Sequence, residues 1–342
     1  MMIRTVAYPR AALVGNPSDG YHGKTIAFVF DNYCAEVLLY ETPELEILAG
    51  RRDYTRFDSL ETMHHDIGQF GYYGGIRLLK AAGKKFYEYC RDRGFDTGGR
   101  NFTIRYQSDI PNRLGLAGSS AIITAAMRAM FKFYGLEIGP AHLANLVLST
   151  ERDELGIPAG LQDRVAQAYN IPVFMDFDME YMAANGIGKY TPIEIPEDLQ
   201  LYVAYRTDLA EGSEMLHSRL RDDYEEGVPG VLAAMQEWAH LTVQVAKAIA
   251  ERDFSAIPAL LNRNFDLRCE VCSGSISPKN RQMVEIARAC GASAKFTGSG
   301  GAIIGTYEDD EMFEKMKTEF SKFRISLIKP RIVNSGENHV DS

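Results

Sequence analysis

Pro111-Asn-Arg-Leu-Gly-Leu-Ala-Gly-Ser-Ser-Ala121 is the stretch on which the reading of this chain turns. It follows an alternating strand pattern, Asn101 to Ser108, and opens an apolar helical pattern, Ser119 to Tyr134, that Gly135 closes. A glycine-rich turn lets backbone N–H groups approach a ligand closely, and a helix N-terminus adds partial positive charge. Together they suit the phosphates of a nucleotide. Ser119 and Ser120 supply hydroxyls for a phosphate or a hydrated Mg²⁺. The same residues also read as a plain turn with a serine N-cap.

Two further groupings lie downstream. Thr297-Gly-Ser-Gly-Gly301 is a second glycine loop, preceded by Lys295 and leading into the apolar Ala302-Ile-Ile304. On its own it reads as a tight hairpin. Glu151 lies at the end of a helical pattern, and Asp163 begins the next after a Pro/Gly turn. Two carboxylates on adjacent helix ends can divide labour, one holding metal and the other orienting or deprotonating a hydroxyl. Alone, Asp163 also reads as helix-start electrostatics and Glu151 as part of a solvated face.

Two nucleotide-binding motifs are excluded. Gly23-Lys24-Thr25 imitates the end of a Walker A loop, but the required earlier glycine is Ser18. Neither glycine loop has Rossmann spacing between a strand and a helix. Composition narrows the class further. The 342 residues are 46% hydrophobic, 24% charged and carry a net charge of −9. That is ample for a core and argues against a nucleic-acid surface, which calls for a basic patch. No apolar run reaches the ~18 residues of a membrane span, and the N-terminus lacks a signal-peptide core, so a cytoplasmic protein is expected. Cys34, Cys90, Cys269, Cys272 and Cys290 are odd in number and scattered, which does not suggest a disulfide framework. The Cys269-x-x-Cys272 pair lacks the second half of a zinc site and reads as two reduced thiols.

Strand-like and helix-like patterns alternate along the chain. Ile26 to Leu39 and Leu201 to Tyr205 read as strands. Ala141 to Leu155, Val231 to Glu251 and Asn280 to Cys290 read as helices. The polar stretch Ala183 to Leu199 is the expected domain junction. The last residues, 335–342, read as a frayed tail.

Taken in order, these pieces resemble a family. Tyr8-Pro-Arg-Ala-Ala-Leu-Val-Gly-Asn-Pro-Ser-Asp-Gly-Tyr21, the loop at 111–121 and Lys295-Phe-Thr-Gly-Ser-Gly-Gly301 are similar to the three motifs of GHMP kinases, across roughly residues 6 to 305. The loop has one residue more than the common form, and that variant resembles the glucuronokinase branch. So do Gly160-Leu-Gln-Asp-Arg-Val-Ala-Gln167 and Asn264-Phe-Asp-Leu-Arg268. The resemblance implies an α+β fold of two domains, 1–190 with a mixed sheet and a βαβ unit, and 191–342 ferredoxin-like. It implies ATP held by Arg113, Gly115, Leu116, Ala117, Gly118, Ser119 and Ser120, and Mg²⁺ on Glu151 with Ser119 or Ser120. Asp163 matches the proposed base, and Arg10 the catalytic cation. Asp19, Asn16, Gly298, Ser299 and Gly300 fall at sugar-binding positions.

The implied reaction is phosphorylation of the anomeric hydroxyl of D-glucuronate, with Arg268, Lys24 and Lys295 as candidates for the cation that a uronate carboxylate needs. Two alternatives stand beside it. One is a kinase for another sugar, such as galactose, arabinose or a heptose derivative. The other is a catalytically silent sensor of the same fold, against which the presence of Arg10, Glu151 and Asp163 speaks. No nucleic-acid or membrane partner is expected.

Overall fold

The structure is a computed structural model and describes residues 1–50, 53, 59, 74–112, 114–207, 214–272, 274 and 276–335. Arg113 and almost all of the C-terminal tail therefore lie outside the described residues. The strands are β1 (Met2–Ala7), β2 (Arg10–Val14), β3 (Lys24–Val29), β4 (Ala35–Thr42), β5 (Glu46–Ile47), β6 (Asn101–Ser108), β7 (Val173–Asp176), β8 (Lys189–Pro192), β9 (Leu201–Arg206), β10 (Lys295–Phe296), β11 (Ala302–Thr306) and β12 (Ile325–Ile328). The helices are α1 (Gly75–Asp92), α2 (Gly118–Tyr134), α3 (Pro140–Ser149), α4 (Leu161–Tyr169), α5 (Met179–Asn185), α6 (Glu214–Glu225), α7 (Pro229–Glu251), α8 (Ile257–Val271), α9 (Pro278–Ala289) and α10 (Asp310–Ser321).

Three four-stranded sheets form, in the orders β1-β4-β6-β5, β2-β3-β7-β8 and β10-β11-β9-β12. In the first, β5 and β6 run parallel with α1 between them, which is a βαβ crossover. In the third, β9, the helices α6 to α9, β10, β11, α10 and β12 follow in a ferredoxin-like sequence, and all its strand pairs are antiparallel. Ile26 to Leu39, read as one strand, is two. A turn at Asp31-Asn32-Tyr33 sends β3 into one sheet and β4 into another.

Helix α2 is the hub of the first half. Its residues from Ser120 to Met127 are all buried, because Ala121, Ala125, Ala126 and Ala129 leave room for neighbours on several sides. Gly135 ends it at φ 66°, in the left-handed region where glycine carries no Cβ penalty. A continuous apolar core runs from Ile3 to Ile304, and a smaller one lies under the third sheet around Phe265, Phe296, Phe313 and Phe320. The chain end returns to the first half: Phe30 bridges Ile332, and Val333 N–H donates to Val29 O at 3.1 Å.

One buried side chain joins the two halves. Asn264 on α8 accepts from Gly15 N–H at 2.7 Å and donates to Asn16 O at 3.1 Å. Beside it, the fully buried Trp238 donates to Asn264 O at 3.0 Å. Removing the amide strands a donor and an acceptor where no water reaches, at about 1–3 kcal/mol each. Asn264→Ala is therefore expected to lose about 2–4 kcal/mol of stability, read as a lower urea-unfolding midpoint; an unchanged midpoint would contradict this account of the junction.

Candidate active site

Strand β2 runs against both glycine loops. Arg10 N–H donates to Leu116 O and Ala12 N–H to Thr297 O, each at 3.1 Å. The Arg10 side chain is 4% exposed. Its Nη1 donates to Thr297 O at 2.6 Å and to Gly115 O at 3.1 Å, and its Nη2 pairs with Asp163 Oδ2 at 2.5 Å. The two loops touch through backbone. Gly115 sits at φ +67°, and a Cβ there would fall 2.7 Å from Gly300 O. A Cβ on Gly298 would fall 2.9 Å from Gly115 O. Close approach explains why both positions are glycine.

The loop leads into α2 through Ala117, which holds φ 59°, an uncommon conformation for a residue with a Cβ. Its carbonyl is pinned by Gln167 Nε2 from α4 at 2.9 Å, and the same nitrogen donates to Tyr8 O. Ser119 is half-buried and Ser120 buried in the first turn of α2.

Opposite this turn, α3 does not run on to Leu155 as the periodicity suggests. It stops at Ser149, and Thr150–Glu154 forms a widened π turn, a feature that re-aims side chains and is common at functional sites. Glu151 is thereby turned inward, to 1% exposure. Ser120 Oγ donates to its carboxylate, 3.1 Å from each oxygen, and Arg164 Nε reaches Oε2 at 2.5 Å. Arg164 also lies 3.2 Å from Asp163. Four charges therefore alternate in sign: Glu151, Arg164, Asp163, Arg10. Burial pushes the Glu151 carboxyl up, against Arg164 and Ser120. Burial also pushes Asp163 up, but Arg10 and Arg164 outweigh it and hold this carboxyl below the ordinary range. Asp163 is therefore ionised at neutral pH.

Asp19 completes the acid side. It lies on the short turn Ser18–Tyr21, and its carboxyl rests against Gly160, where a Cβ would meet it at 2.6 Å. Burial, and the negative charge of Asp163 nearby, push it up to about 7. Asn16 is buried; its amide nitrogen faces Phe296 O and Gly298 O, and its oxygen accepts from Lys295. Lys295, 1% exposed, also donates to Ala12 O at 2.7 Å. Burial, with Arg268 and Arg10 close by, pushes its ammonium well below the ordinary value. Arg268 supports the second loop from behind, donating to Gly298 O at 2.8 Å and Ser299 O at 2.9 Å. Asn280 on α9 accepts from Gly301 N–H at 3.2 Å.

With this geometry in place, comparison with known proteins identifies the family. The model for the GHMP kinases N-terminal domain matches residues 77–170, and that for the GHMP kinases C-terminal domain matches 245–324. The chain is 40% identical over 310 residues to a protein named probable glucuronokinase 2 of Arabidopsis thaliana, covering 87% of this chain and 82% of that one. It is 38% identical over 305 residues to glucuronokinase 1 of the same plant, covering 87% and 83%. The chain belongs to the GHMP kinase family. Among solved structures, the Streptococcus pneumoniae phosphomevalonate kinase superposes with a TM-score of 0.74 at 15% identity, over 97% of this chain and 100% of that one, which extends the likeness to the whole fold.

Within this GHMP kinase, Arg10, Asp163, Glu151, Ser120, Asp19, Asn16 and both glycine loops come together around the Arg10–Asp163 pair. The three cations suggested for a uronate are committed elsewhere. Lys295 and Arg268 lie behind the second loop, and Lys24 pairs with Asp176, its cross-strand neighbour in the β3–β7 register. Sequence reading assigned no role to Arg164, Gln167, Asn264 or Asn280. The first three lie inside motifs already singled out, and a charged or amide residue placed where a helix must be buried was the available signal.

Asp19 gives this arrangement a measurable signature. A carboxyl whose folded value is raised from ~4 to about 7 carries no cost below ~4, and its full cost above 7. Asp19→Asn is expected to unfold at a higher temperature than wild type at pH 8, and to lose that gain at pH 4. An equal difference at both values would show that Asp19 is not held against its ionised form.

Proposed function

We propose that this protein is an ATP- and Mg²⁺-dependent kinase that phosphorylates the anomeric hydroxyl of D-glucuronate, giving the 1-phosphate and ADP. The observation that carries the proposal is the Arg10–Asp163 pair, set where both glycine loops meet. The substrate follows from the two named glucuronokinases, which match most of their own length.

Phosphoryl transfer asks mainly for positioning and charge neutralisation. The loop 114–120 and the α2 N-terminus offer backbone N–H groups to the nucleotide phosphates. Arg10 supplies a fixed positive charge beside them. Asp163, ionised and locked by two arginines, accepts a hydrogen bond from the acceptor hydroxyl. Because its proton affinity is low, it takes the proton late, as the oxygen loses electron density to phosphorus. Asp19, Asn16 and the loop Gly298-Ser299-Gly300 are assigned to the sugar.

The donor set fits Mg²⁺. Among the described residues no group of three or more His, Cys, Asp or Glu gathers at one point. Mg²⁺ needs no such cage, since it commonly takes one carboxylate, phosphate oxygens and water. Glu151 Oε1 and Ser120 Oγ are the hard oxygens available to it, with Oε2 engaged by Arg164. When bound, the ion would neutralise phosphate charge. Among the described residues no helix is long and apolar enough to cross a membrane, and the five cysteines are free thiols, which supports work in a reducing cytoplasm.

Purified protein with ATP, Mg²⁺ and a panel of uronic acids and neutral sugars should release ADP with D-glucuronate and give a ³¹P resonance of an anomeric phosphate. Asp163→Asn should lower kcat by about 10²–10⁴ with the KM for ATP little changed. Turnover with only a neutral sugar would discard the uronate. Binding without any turnover would favour the silent sensor.

A further inference from the structure

Arg268 on α8 is a buried cation without a counter-charge. It is 3% exposed, and among the described residues no carboxylate pairs with it. Its terminal nitrogens bond only to backbone, Nη1 to Gly298 O at 2.8 Å and Nη2 to Ser299 O at 2.9 Å. Burial lowers its guanidinium to about 10, so it stays protonated at neutral pH. A buried charge is costly unless something offsets it. Asp163 does so for Arg10 and Glu151 for Arg164. For Arg268 the protein itself supplies only the Phe296 ring, 5.0 Å away.

Those two bonds also orient the second glycine loop. In a trans peptide, the carbonyl of one residue and the N–H of the next point in opposite directions. Gly298 O and Ser299 O both turn back to Arg268, so the N–H groups of Ser299 and Gly300 both turn forward. Adjacent N–H groups that face one way make an anion-binding concavity. Among the described residues neither finds an acceptor, and both residues are partly exposed, so a ligand can reach them. Each nitrogen lies 3.6 Å from the point where a Cβ on Gly115 would stand. A Cβ on Gly298 would lie 3.1 and 3.2 Å from Nη1 and Nη2 of Arg10. The forward face therefore opens toward the first loop, beside the Arg10–Asp163 pair. Asn16 Nδ2 faces Gly298 O from the first half at 3.5 Å, and Asn280 holds Gly301 N–H at 3.2 Å, which fixes the loop from both sides.

We infer that the second glycine loop is an anion site charged from behind by Arg268, and that its ligand is an anionic oxygen of a substrate: the sugar carboxylate or the terminal phosphate of ATP. The inference rests on the kinase reading above, and its carboxylate arm on the uronate. Arg268 is a positioning residue, since it acts through the loop. It meets the negative ends of two peptide dipoles and leaves their positive ends to the ligand. The bound anion then supplies the counter-charge that the protein lacks.

The test measures KM for ATP, and compares D-glucuronate with D-glucuronamide, which carries an uncharged amide in place of the carboxylate. Arg268→Gln removes the charge and keeps an amide donor toward the loop. With the carboxylate as ligand, kcat/KM for the acid should fall by about 100-fold, mainly through KM, while the amide and the KM for ATP stay within about threefold. With the phosphate as ligand, KM for ATP should rise by about tenfold, and acid and amide should be affected alike. Arg268→Lys should keep part of the wild-type value in either case, because charge survives and the fork does not. Titration with a non-hydrolysable ATP analogue and with glucuronate reads both arms without turnover. A fall in kcat with every KM unchanged, or equal losses in the Gln and Lys variants, would mean that Arg268 only holds the loop's shape, and overturns the inference. So would Arg268→Gln with unaltered constants. Turnover of a neutral sugar but not of glucuronate removes the uronate reading and the carboxylate arm with it; KM for ATP with that sugar then decides the phosphate arm.

Discussion

The Arg10 guanidinium binds a carboxylate and two loop carbonyls at once, and the rest of the site depends on that one side chain. Gly115 and Thr297 are 182 residues apart in the chain, yet both carbonyls accept from Arg10 or its neighbours. A planar fork can serve several acceptors in fixed directions, which a lysine ammonium on a flexible stem does less well. Because the loops also meet through glycine backbone, a shift in either one is transmitted to Arg10 and so to Asp163. The strand that carries Arg10 belongs to the first half of the chain, and the second loop to the last sheet. The site therefore exists only when the two halves are joined, as Asn264 and the returning chain end ensure.

Charge alternation solves the problem that these buried acids create. Glu151 and Asp163 would each be expensive in a dry interior. Arg164 stands between them and Arg10 caps the end, so each acid has an arginine beside it although three of the four members are nearly inaccessible to water. Asp19 is left outside this balance. Burial, and then the negative charge of Asp163, outweigh the help it receives from Arg10 and Arg164, which is why its proton is held to about 7. A site that stores this cost is organised for a ligand rather than for stability.

Much of this was legible in the sequence, and the illegible parts have physical reasons. Glycine runs declare themselves, so both loops and the α2 start could be read from Gly115, Gly118 and Gly298 alone. Arg10 has no local signature, and only the order of motifs along the chain pointed to it. Arg164 looks like a solvated charge at a helix start. Its burial accompanies its ion pair with Glu151, which the π turn aims inward, and that turn is invisible because Thr150-Glu-Arg-Asp-Glu154 continues a helical composition. The apolar run from Ile26 to Leu39 concealed a change of sheet, since residues buried in either sheet look alike. Cations were the hardest to place: Lys295 and Arg268 are adjacent to the right loop but face its rear.

The central claim is that the γ-phosphate of ATP and a sugar hydroxyl meet at the Arg10–Asp163 pair. A crystal structure with a non-hydrolysable ATP analogue, Mg²⁺ and D-glucuronate tests it directly. The account predicts the terminal phosphate beside Arg10 and the loop 114–120, with the C1 hydroxyl hydrogen-bonded to Asp163. A sugar bound with no hydroxyl at Asp163, or a phosphate chain lying away from Arg10, would contradict it.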